Sequence, residues 1–312
     1  GGFYKGDFTS DKLDLSGGIR IENPIQIITY KDQFSPTFTS QSVLNDIEIL
    51  PYLNSKIKLS EKIQLKTSTS ITTIRPRFRE LTPFIYTEVF AGSKIQGNPN
   101  LINSKVYNGD LTFEFFPTRS EVIALTLFGK RIVNPIERVN VATASGRLET
   151  YQNSVGSNVY GLEVEMKKKW GDWNVDYNLS LLHSDIEIAE SNGSSVVVTN
   201  LNRPLQGSTP ILSNLDIFHN ISDQSNLGFT YNYVGKKLSS VGIYGLGDIY
   251  QSPQHFLNLI WNLERDKFNL SMRLNNVLNT PFKLEQQTDI GNVITNTFTN
   301  GIDASIRITY KF

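Results

Sequence analysis

The stretch that decides the fold is Ile302–Phe312, with the sequence IDASIRITYKF. Its even positions carry Ile, Ala, Ile, Ile, Tyr and Phe, and its odd positions carry Asp, Ser, Arg, Thr and Lys. Because successive side chains of a β-strand point to opposite faces, this segment has one apolar and one polar face. It predicts a strand of a sheet whose two faces meet different surroundings.

The same alternation recurs along the chain and predicts about twelve strands. Several of them are ten residues or longer, whereas strands of soluble proteins average about five to six residues. A strand that crosses a membrane needs about nine to eleven residues. Strand length therefore favours a membrane barrel. The predicted strands lie at 12–28, 43–59, 62–75, 103–116, 121–134, 156–169, 173–186, 206–219, 226–238, 250–263, 267–278 and 301–312.

The connections between these strands alternate strictly between short and long. Short turns are expected at 60–61, 117–120, 171–172, 221–225 and 264–266, and long links at 29–42, 76–102, 135–155, 187–205, 239–249 and 279–300. In an up-and-down sheet this order puts every short turn at one rim. Outer-membrane barrels have short periplasmic turns and long extracellular loops. We therefore predict an all-β, antiparallel, up-and-down transmembrane β-barrel in the bacterial outer membrane, with extracellular long links and a periplasmic C-terminus.

Aromatic residues cluster at the predicted short turns. Trp170 and Trp173 flank one turn, Trp261 and Phe268 bracket another, and Phe312 ends the chain at the same rim. An aromatic belt at the level of the lipid headgroups predicts this placement. The alternative is that aromatic residues simply favour strands. Alternation alone does not say which face is outside, since a soluble β-sandwich alternates with its apolar face inward.

Composition excludes several classes of protein. Lys plus Arg and Asp plus Glu both number 30, so no basic excess points to nucleic acid. Cysteine is absent, which excludes disulfides and thiolate metal sites. No apolar run approaches the roughly 18 residues of a membrane helix, so only a closed sheet could cross a lipid bilayer. The opening GGFYKGDF has no signal-peptide pattern, and we expect a mature, processed or truncated start.

Short motifs also follow one another in a specific order. They are LPYLN at 50–54, TTIRPRFRELTPF at 72–84, GNPNL at 97–101, YNGDL at 107–111, EFFP at 114–117, NPIE at 134–137, YGLEVE at 160–165, RPLQG at 203–207, NNVLN at 275–279 and ITYKF at 308–312. Each motif is weak, but their order and spacing are specific. Over essentially the whole chain they resemble the TonB-dependent receptors of the Bacteroidetes, which are outer-membrane transporters.

That resemblance implies a 22-strand barrel with an N-terminal plug folded inside it, which imports siderophores, vitamins, glycans or peptides. The chain would then be the C-terminal part of one barrel domain, over residues 1–312, without the plug and the first ten or so strands. The expected partners are outer-membrane lipid, the rest of the barrel, its plug, the TonB system acting through the plug, and a surface lipoprotein. Tyr310 and Phe312 resemble the C-terminal signal that the outer-membrane assembly machinery recognises.

A group of polar residues at the extracellular end of the third predicted strand is the candidate ligand contact. It comprises Arg75, Arg77, Phe78, Arg79, Glu80, Asn98 and Asn100. Three arginines could bind an anionic ligand. We favour the alternative, in which the arginines anchor the loop through carboxylates and Gly97–Leu101 forms a turn.

The polar strips of the strands are the second candidate surface. They are expected to line the lumen of the barrel through Glu163, Glu165, Lys167, Asp176, Arg273 and Arg307. A wall with both signs of charge suits a water-filled interior or the surface of a plug. Simple solvation of the polar face explains the same pattern equally well.

Catalysis has little support in the sequence. His183, His219 and His255 fall on separate predicted strands, and no cysteine or histidine spacing is typical of a metal site. The glycines at 242, 245 and 247 are not followed by a helix, so they do not form a phosphate loop. No cofactor is expected, and transport is favoured over an enzyme. A diffusion porin, a self-contained twelve-strand barrel, a structural or receptor barrel in a larger complex, and a barrel enzyme remain as alternatives.

Overall fold

A computed structural model describes residues 1–31, 39–87, 94–143, 146–188, 198–243 and 245–312. These residues form 23 strands and one single-turn helix. No helix in the described ranges is long and apolar enough to cross a membrane.

The strands are labelled here in chain order. They are Gly2–Thr9 (β1), Leu13–Glu22 (β2), Gln26–Lys31 (β3), Thr39–Leu44 (β4), Glu48–Lys58 (β5), Ile63–Ile74 (β6), Ile85–Thr87 (β7), Lys94–Gln96 (β8), Ser104–Phe115 (β9), Val122–Val133 (β10), Ile136–Thr143 (β11), Gly146–Asn153 (β12), Gly156–Trp170 (β13), Trp173–Glu187 (β14), Ile211–Ser222 (β15), Ser225–Val234 (β16), Lys237–Ser240 (β17), Ile249–Gln251 (β18), Gln254–Glu264 (β19), Phe268–Asn275 (β20), Phe282–Thr288 (β21), Gly291–Phe298 (β22) and Asp303–Tyr310 (β23). The helix is Phe78–Leu81 (α1).

Thirteen strands form one sheet in the order β1-β2-β5-β6-β9-β10-β13-β14-β15-β16-β19-β20-β23. Every pair of neighbours is antiparallel, and each strand pairs with the next one of the sheet along the chain. Among the described residues β1 and β23 are the outer strands, and they do not pair with each other. The predicted all-β, up-and-down antiparallel arrangement is therefore confirmed, in a sheet that is open.

The links of this sheet alternate in length, as predicted. The short links lie at 10–12, 59–62, 116–121, 171–172, 223–224 and 265–267, and we call the rim that they share the turn rim. The long links lie at 23–47, 75–103, 134–155, 188–210, 235–253 and 276–302, and we call theirs the loop rim. Because the pairing is antiparallel throughout, the strand ends that short links join lie at one rim and those that long links join lie at the other.

Two expectations are corrected. The sheet has thirteen strands rather than twelve, because β1 carries glycines at two apolar-face positions, Gly2 and Gly6, which hide its alternation. The first predicted strand, 12–28, ends at Glu22, since Pro24 has no N–H with which to continue the ladder. The described parts of the long links also contain ten short strands, which period-two patterns in the sequence did not reveal.

The apolar face of the large sheet is the exposed one. On β10, Leu127 is 50% exposed while Ala124, on the other face, is 6% exposed. Leu125 pairs with Phe113 of β9 and Val164 of β13, so the apolar positions continue from strand to strand. A soluble sandwich would bury this face. An exposed apolar surface of this extent requires lipid or another apolar partner.

The aromatic residues predicted at one rim lie at the turn rim. Trp170 and Trp173 pair directly across the two-residue turn between β13 and β14. Phe268 pairs with Tyr310, and the ring of Tyr310 lies 5.2 Å from that of Phe312 in an edge-on arrangement. These rings occupy the apolar face, where an interfacial belt would have them.

Glycines on the polar face make room for aromatic rings of the neighbouring strand. The direct cross-strand pairs are Gly18 with Tyr52, Gly161 with Phe128, and Gly228 with Phe218. A Cβ at Gly161 would lie 2.6 Å from Cζ of Phe128 and would also meet the carbonyl oxygen of Leu181. A glycine is therefore required there by close approach rather than by an unusual backbone angle.

Replacing Gly161 with valine is expected to destabilise the sheet by about 1–3 kcal/mol, the usual cost of overpacking. The matched control is Gly129→Val on the apolar face, where a new Cβ meets nothing within 4 Å. Urea unfolding of the protein refolded into lipid vesicles measures both variants. Equal destabilisation by the two substitutions would contradict the packing described here.

Candidate ligand-binding surface at the loop rim

The described residues of the loop rim form three small sheets. One has the order β11-β12-β8-β7, the second has the order β17-β18-β21-β22, and the third is the hairpin β3-β4. In the first, β12 and β8 pair in parallel although they belong to different long links. Because these sheets join separate links, the loop rim is a folded layer in the described ranges.

Helix α1 carries the central residues of the predicted ligand contact. Its first turn is capped by Glu80, whose carboxylate accepts a hydrogen bond from the backbone N–H of Arg77 at 2.9 Å. Leu81 is buried against Ile28 and Leu101. This anchor leaves Phe78 on the surface, where it is 67% exposed.

Arg75 lies at the end of β6 and is bound by two carboxylates. Its guanidinium donates to Glu22 at 2.5 Å and also to Glu48. Glu48 in turn accepts a hydrogen bond from Asn103 at 3.0 Å. Arg75 therefore ties the ends of β2, β5 and β6 together, which is the geometry of the anchoring alternative. Its contact with a ligand stays a prediction.

Arg79, Glu80 and Asn98 come together around two tyrosines that sequence reasoning missed. The guanidinium of Arg79 lies 5.4 Å from the ring centroid of Tyr86, and the Tyr86 hydroxyl is 3.0 Å from that of Tyr151. The side chain of Asn98 donates to the carbonyl oxygen of Tyr151 at 2.9 Å, and its backbone N–H donates to the carbonyl of Glu80 at 2.6 Å. We call Arg79, Tyr86, Asn98 and Tyr151 the tyrosine cluster.

Asn100 completes the turn that precedes β9. Its backbone N–H donates to the side-chain oxygen of Asn98 at 2.9 Å, an Asx turn of the kind expected there. Gly97 lies against α1, where a Cβ would meet the carbonyl oxygens of Arg79 and Thr82. No local signal could have revealed Tyr86 and Tyr151, because the parallel pairing of β8 with β12 is what brings them together.

Burial raises the pKa of Tyr151, and the hydrogen bond to Tyr86 raises it further. The neutral phenol is thus favoured in the folded loops. Tyr151 therefore contributes its full stabilisation to the folded loops below pH 10.0, the ordinary pKa of tyrosine. This contribution is lost as the pH rises above that value, because the unfolded protein then loses the phenol proton first.

Tyrosinate absorbance tests this shift. The difference between the native protein and Tyr151→Phe is expected to titrate above the ordinary tyrosine pKa of 10.0. The same comparison in denaturant is the control, since Tyr151 has its ordinary pKa in the unfolded protein. A Tyr151 difference that titrates at the same pH in the folded and the unfolded protein would contradict the burial of the cluster.

A buried ion pair joins two further long links. Arg203 and Glu137 are 2% and 1% exposed at their side chains, and two nitrogens of the guanidinium donate to the two carboxylate oxygens at 3.0 and 2.9 Å. Ser154 donates to the same carboxylate at 3.1 Å. This pair holds the RPLQG segment against the start of β11.

The link at 235–253 is joined to these two links through buried amide groups and a carboxylate. Asn140 donates to the carbonyl oxygen of Val241 at 2.5 Å. Asp248 is buried and accepts from Asn200 at 2.8 Å and from the backbone N–H of Gly242 at 2.7 Å. The described parts of links 134–155, 188–210 and 235–253 therefore form one unit, which we call the loop unit.

The residues predicted to line a lumen lie on the polar face of the large sheet. Glu163, Glu165 and Lys167 are on β13, Asp176 is on β14, and Arg273 and Arg307 are on β20 and β23. Lys167 and Asp176 approach to 3.9 Å. Part of this face forms an open cleft of about 700 Å³ lined by residues that include Lys56, Asp110 and Glu163. Their role in a lumen stays a prediction.

The sequence matches the Outer membrane protein beta-barrel family over residues 2–312. The chain belongs to that family. Its place is therefore the outer membrane, and lipid is the apolar medium that the exposed face requires. No curated protein matches the chain.

Solved structures of siderophore receptors share the fold of this outer-membrane barrel chain. The ferric enterobactin receptor of Pseudomonas aeruginosa has a TM-score of 0.64 and 16% identity, over 99% of this chain and 44% of that chain. The siderophore receptor of Acinetobacter baumannii has a TM-score of 0.65 and 14% identity, over 99% and 45%. The ferric-catecholate import receptor of E. coli has a TM-score of 0.60 and 13% identity, over 88% and 39%. The chain thus spans less than half the length of these receptors, and at such identities the likeness shows the fold.

The three histidines of this outer-membrane barrel chain lie apart on its apolar face, each beside aromatic rings. His183 lies 5.0 Å from the ring of Tyr160, His219 stacks on Trp173 at 4.2 Å, and Nδ1 of His255 is 2.7 Å from the hydroxyl of Tyr231. Within the described ranges no group of three or more His, Cys, Asp or Glu residues could hold a metal ion.

Proposed function

We propose that this chain forms part of the wall of a TonB-dependent transporter that imports a nutrient of the siderophore, glycan, peptide or vitamin class. The observation that carries the proposal is the extent of the structural match. The open thirteen-strand sheet and its loop layer correspond, over 99% of the chain, to 44% of a ferric enterobactin receptor.

The rest of the barrel, a plug and the TonB system complete the transporter. A second set of strands would pair with β1 and β23, since bare strand edges are not stable in lipid. The turn rim faces the periplasm and the loop rim faces the outside, as short and long links do in this class of barrel. Outer-membrane lipid surrounds the apolar face, a surface lipoprotein meets the loop rim, and the assembly machinery recognises Tyr310 and Phe312.

The loop rim provides the ligand contacts in this proposal. Arg77 and Phe78 present a cation and an aromatic ring beside the tyrosine cluster, and Asn98 and Asn100 hold the turn next to them. Guanidinium groups bind carboxylates and phosphates, and tyrosine rings bind both apolar and polar groups. The polar face, with Glu163, Glu165 and Asp176, lines the water-filled or plug-filled interior.

Energy coupling tests the proposal most directly. The complete gene is deleted from its host, and uptake of an iron chelate, a glycan, a peptide and a vitamin is measured with and without a functional TonB system. The transporter is supported if uptake of one nutrient class is lost both in the deletion strain and in a strain that has the gene but no functional TonB system. Uptake that continues without TonB, together with ion conductance of the purified protein in planar bilayers, would show a diffusion porin instead.

A further inference from the structure

We propose that Arg273 and Arg307 form a binding site for a carboxylate or phosphate group on the polar face of the sheet. The cavity that the two arginines line extends to the turn rim, away from the loop-rim residues that are proposed to contact the nutrient. The site rests on the geometry of β20 and β23, and only the protein source of the anion given below rests on the proposed function.

The pairing of the two strands brings the arginines side by side. Arg273 lies opposite Ser305, and Arg307 lies opposite Ser271. The arginines are therefore diagonal neighbours on one face, a position in which Cα atoms are about 7–8 Å apart and long side chains reach each other. Both line a cavity of about 340 Å³. Two guanidinium groups can thus approach one anion from adjacent strands.

Several other basic groups of the polar face have a carboxylate partner. Lys66 pairs with Glu114 at 2.7 Å, and Lys56 lies 3.4 Å from Asp14. In the part of the chain that the structure describes, neither Arg273 nor Arg307 has a carboxylate within 4.0 Å or a side-chain hydrogen bond. Like charges at neighbouring cross-strand positions repel each other, and a bound anion removes this cost.

The acidic groups that face the cavity leave a positive balance. They are Glu264 and Asp223. Glu264 is already bound to Lys311 at 2.9 Å, and Asp223 lies in the turn between β15 and β16. Asp303 is the other diagonal neighbour of Arg273, but it lies outside the lining and accepts a hydrogen bond from Asn275 at 3.1 Å. Within the lining, two guanidinium groups stand against the one remaining carboxylate of Asp223, so the cavity attracts an anion.

The polar groups between the arginines and the turn are held in place by one another. Ser271 donates to Asn262 at 2.7 Å, and Asn262 donates to Asn226 at 2.9 Å. The two guanidinium groups are planar and always charged, and they lie beside polar side chains that are fixed in position. Such an arrangement suits carboxylate and phosphate oxygens, which accept paired hydrogen bonds from arginine. The anion comes either from an acidic side chain of a protein segment inside the barrel or from a free anion in solution.

Arginine-specific modification tests the site and separates its two sources. The complete protein is treated with phenylglyoxal in chloride and in sodium phosphate at constant ionic strength, and mass spectrometry measures the rate at each arginine. Arg119, which is exposed in the turn between β9 and β10, is the reference. Arg307→Gln and the reciprocal Arg273→Gln report on whether the remaining arginine still holds the anion.

Two results support the proposal. If phosphate slows Arg273 and Arg307 about tenfold and leaves Arg119 unchanged, the site binds a free anion, since hydrogen bonds to charged groups have at least that effect. If both arginines react slowly with phenylglyoxal already in chloride, and Arg273 reacts about tenfold faster in Arg307→Gln, a protein carboxylate occupies the site. Reaction of both arginines at the Arg119 rate in either salt would overturn it. So would slow reaction that neither variant relieves, because that is steric shielding alone.

Discussion

Replacing Arg203 with methionine is expected to destabilise the loop unit by about 3–5 kcal/mol, because it leaves a buried carboxylate without its counter-charge. Glu137 is 1% exposed at its side chain and, among the described residues, would keep Ser154 at 3.1 Å and the backbone N–H of Gln206 at 3.4 Å as donors. Hydrogen exchange of the amides in links 134–155 and 188–210 gives the free energy of local opening. The protected amides of those links should exchange much faster in the variant.

Two controls isolate the effect of the unpaired charge. The double variant Glu137→Leu with Arg203→Met removes both charges and should lose much less stability than the single change. Arg131→Met breaks a partly exposed pair with Glu187 and should cost about 0–1 kcal/mol. Equal losses in the single and double variants would mean that the charge on Glu137 is not what destabilises the links.

Replacing Leu125 with arginine is expected to destabilise the barrel by up to about 2–4 kcal/mol, the range for a cation on the lipid face, which is largest at the bilayer midplane. Leu125 lies in the middle of the apolar row formed with Phe113 and Val164. Urea unfolding in lipid vesicles measures the loss, and heat-resistant migration on gels reports how much protein assembles.

Its neighbour provides the matched control. Thr126 lies on the polar face, so Thr126→Arg places the same side chain on the face of the sheet that contacts water. This change loses a hydrogen bond to Thr112 of 2.9 Å, a net effect of about 1 kcal/mol. A larger loss at Thr126 than at Leu125 would reverse the assignment of the two faces.

The long strands and their turns were predictable from local pattern. β13 alternates from Tyr160 to Lys167 and β14 alternates from Trp173 to Leu181, and the two-residue turn between the strands contains Gly171 at a φ of +56°. β1 was missed because two of its four apolar-face positions are glycine. Period-two patterning depends on side chains at successive positions of one segment, so it is visible without knowing the partner strand.

The candidate sites depended far more on the tertiary structure. Arg75, Arg79 and Asn98 were identifiable as chemistry-bearing residues, but their partners were not. Glu22 ends β2, Tyr86 lies on β7 of the same long link, and Tyr151 comes from the link at 134–155. Glu137 and Arg203 are 66 residues apart and Arg273 and Arg307 lie on different strands, so no local spacing indicated either pair.

The alternation of the sequence specified long antiparallel strands, one apolar face and short turns at a single rim. Only the tertiary structure decided that the apolar face is the exposed one, that the long links fold into small sheets, and which charges meet. The physical reason is that alternation is a property of each strand alone, whereas burial and ion pairing depend on which segments the strand pairings bring together.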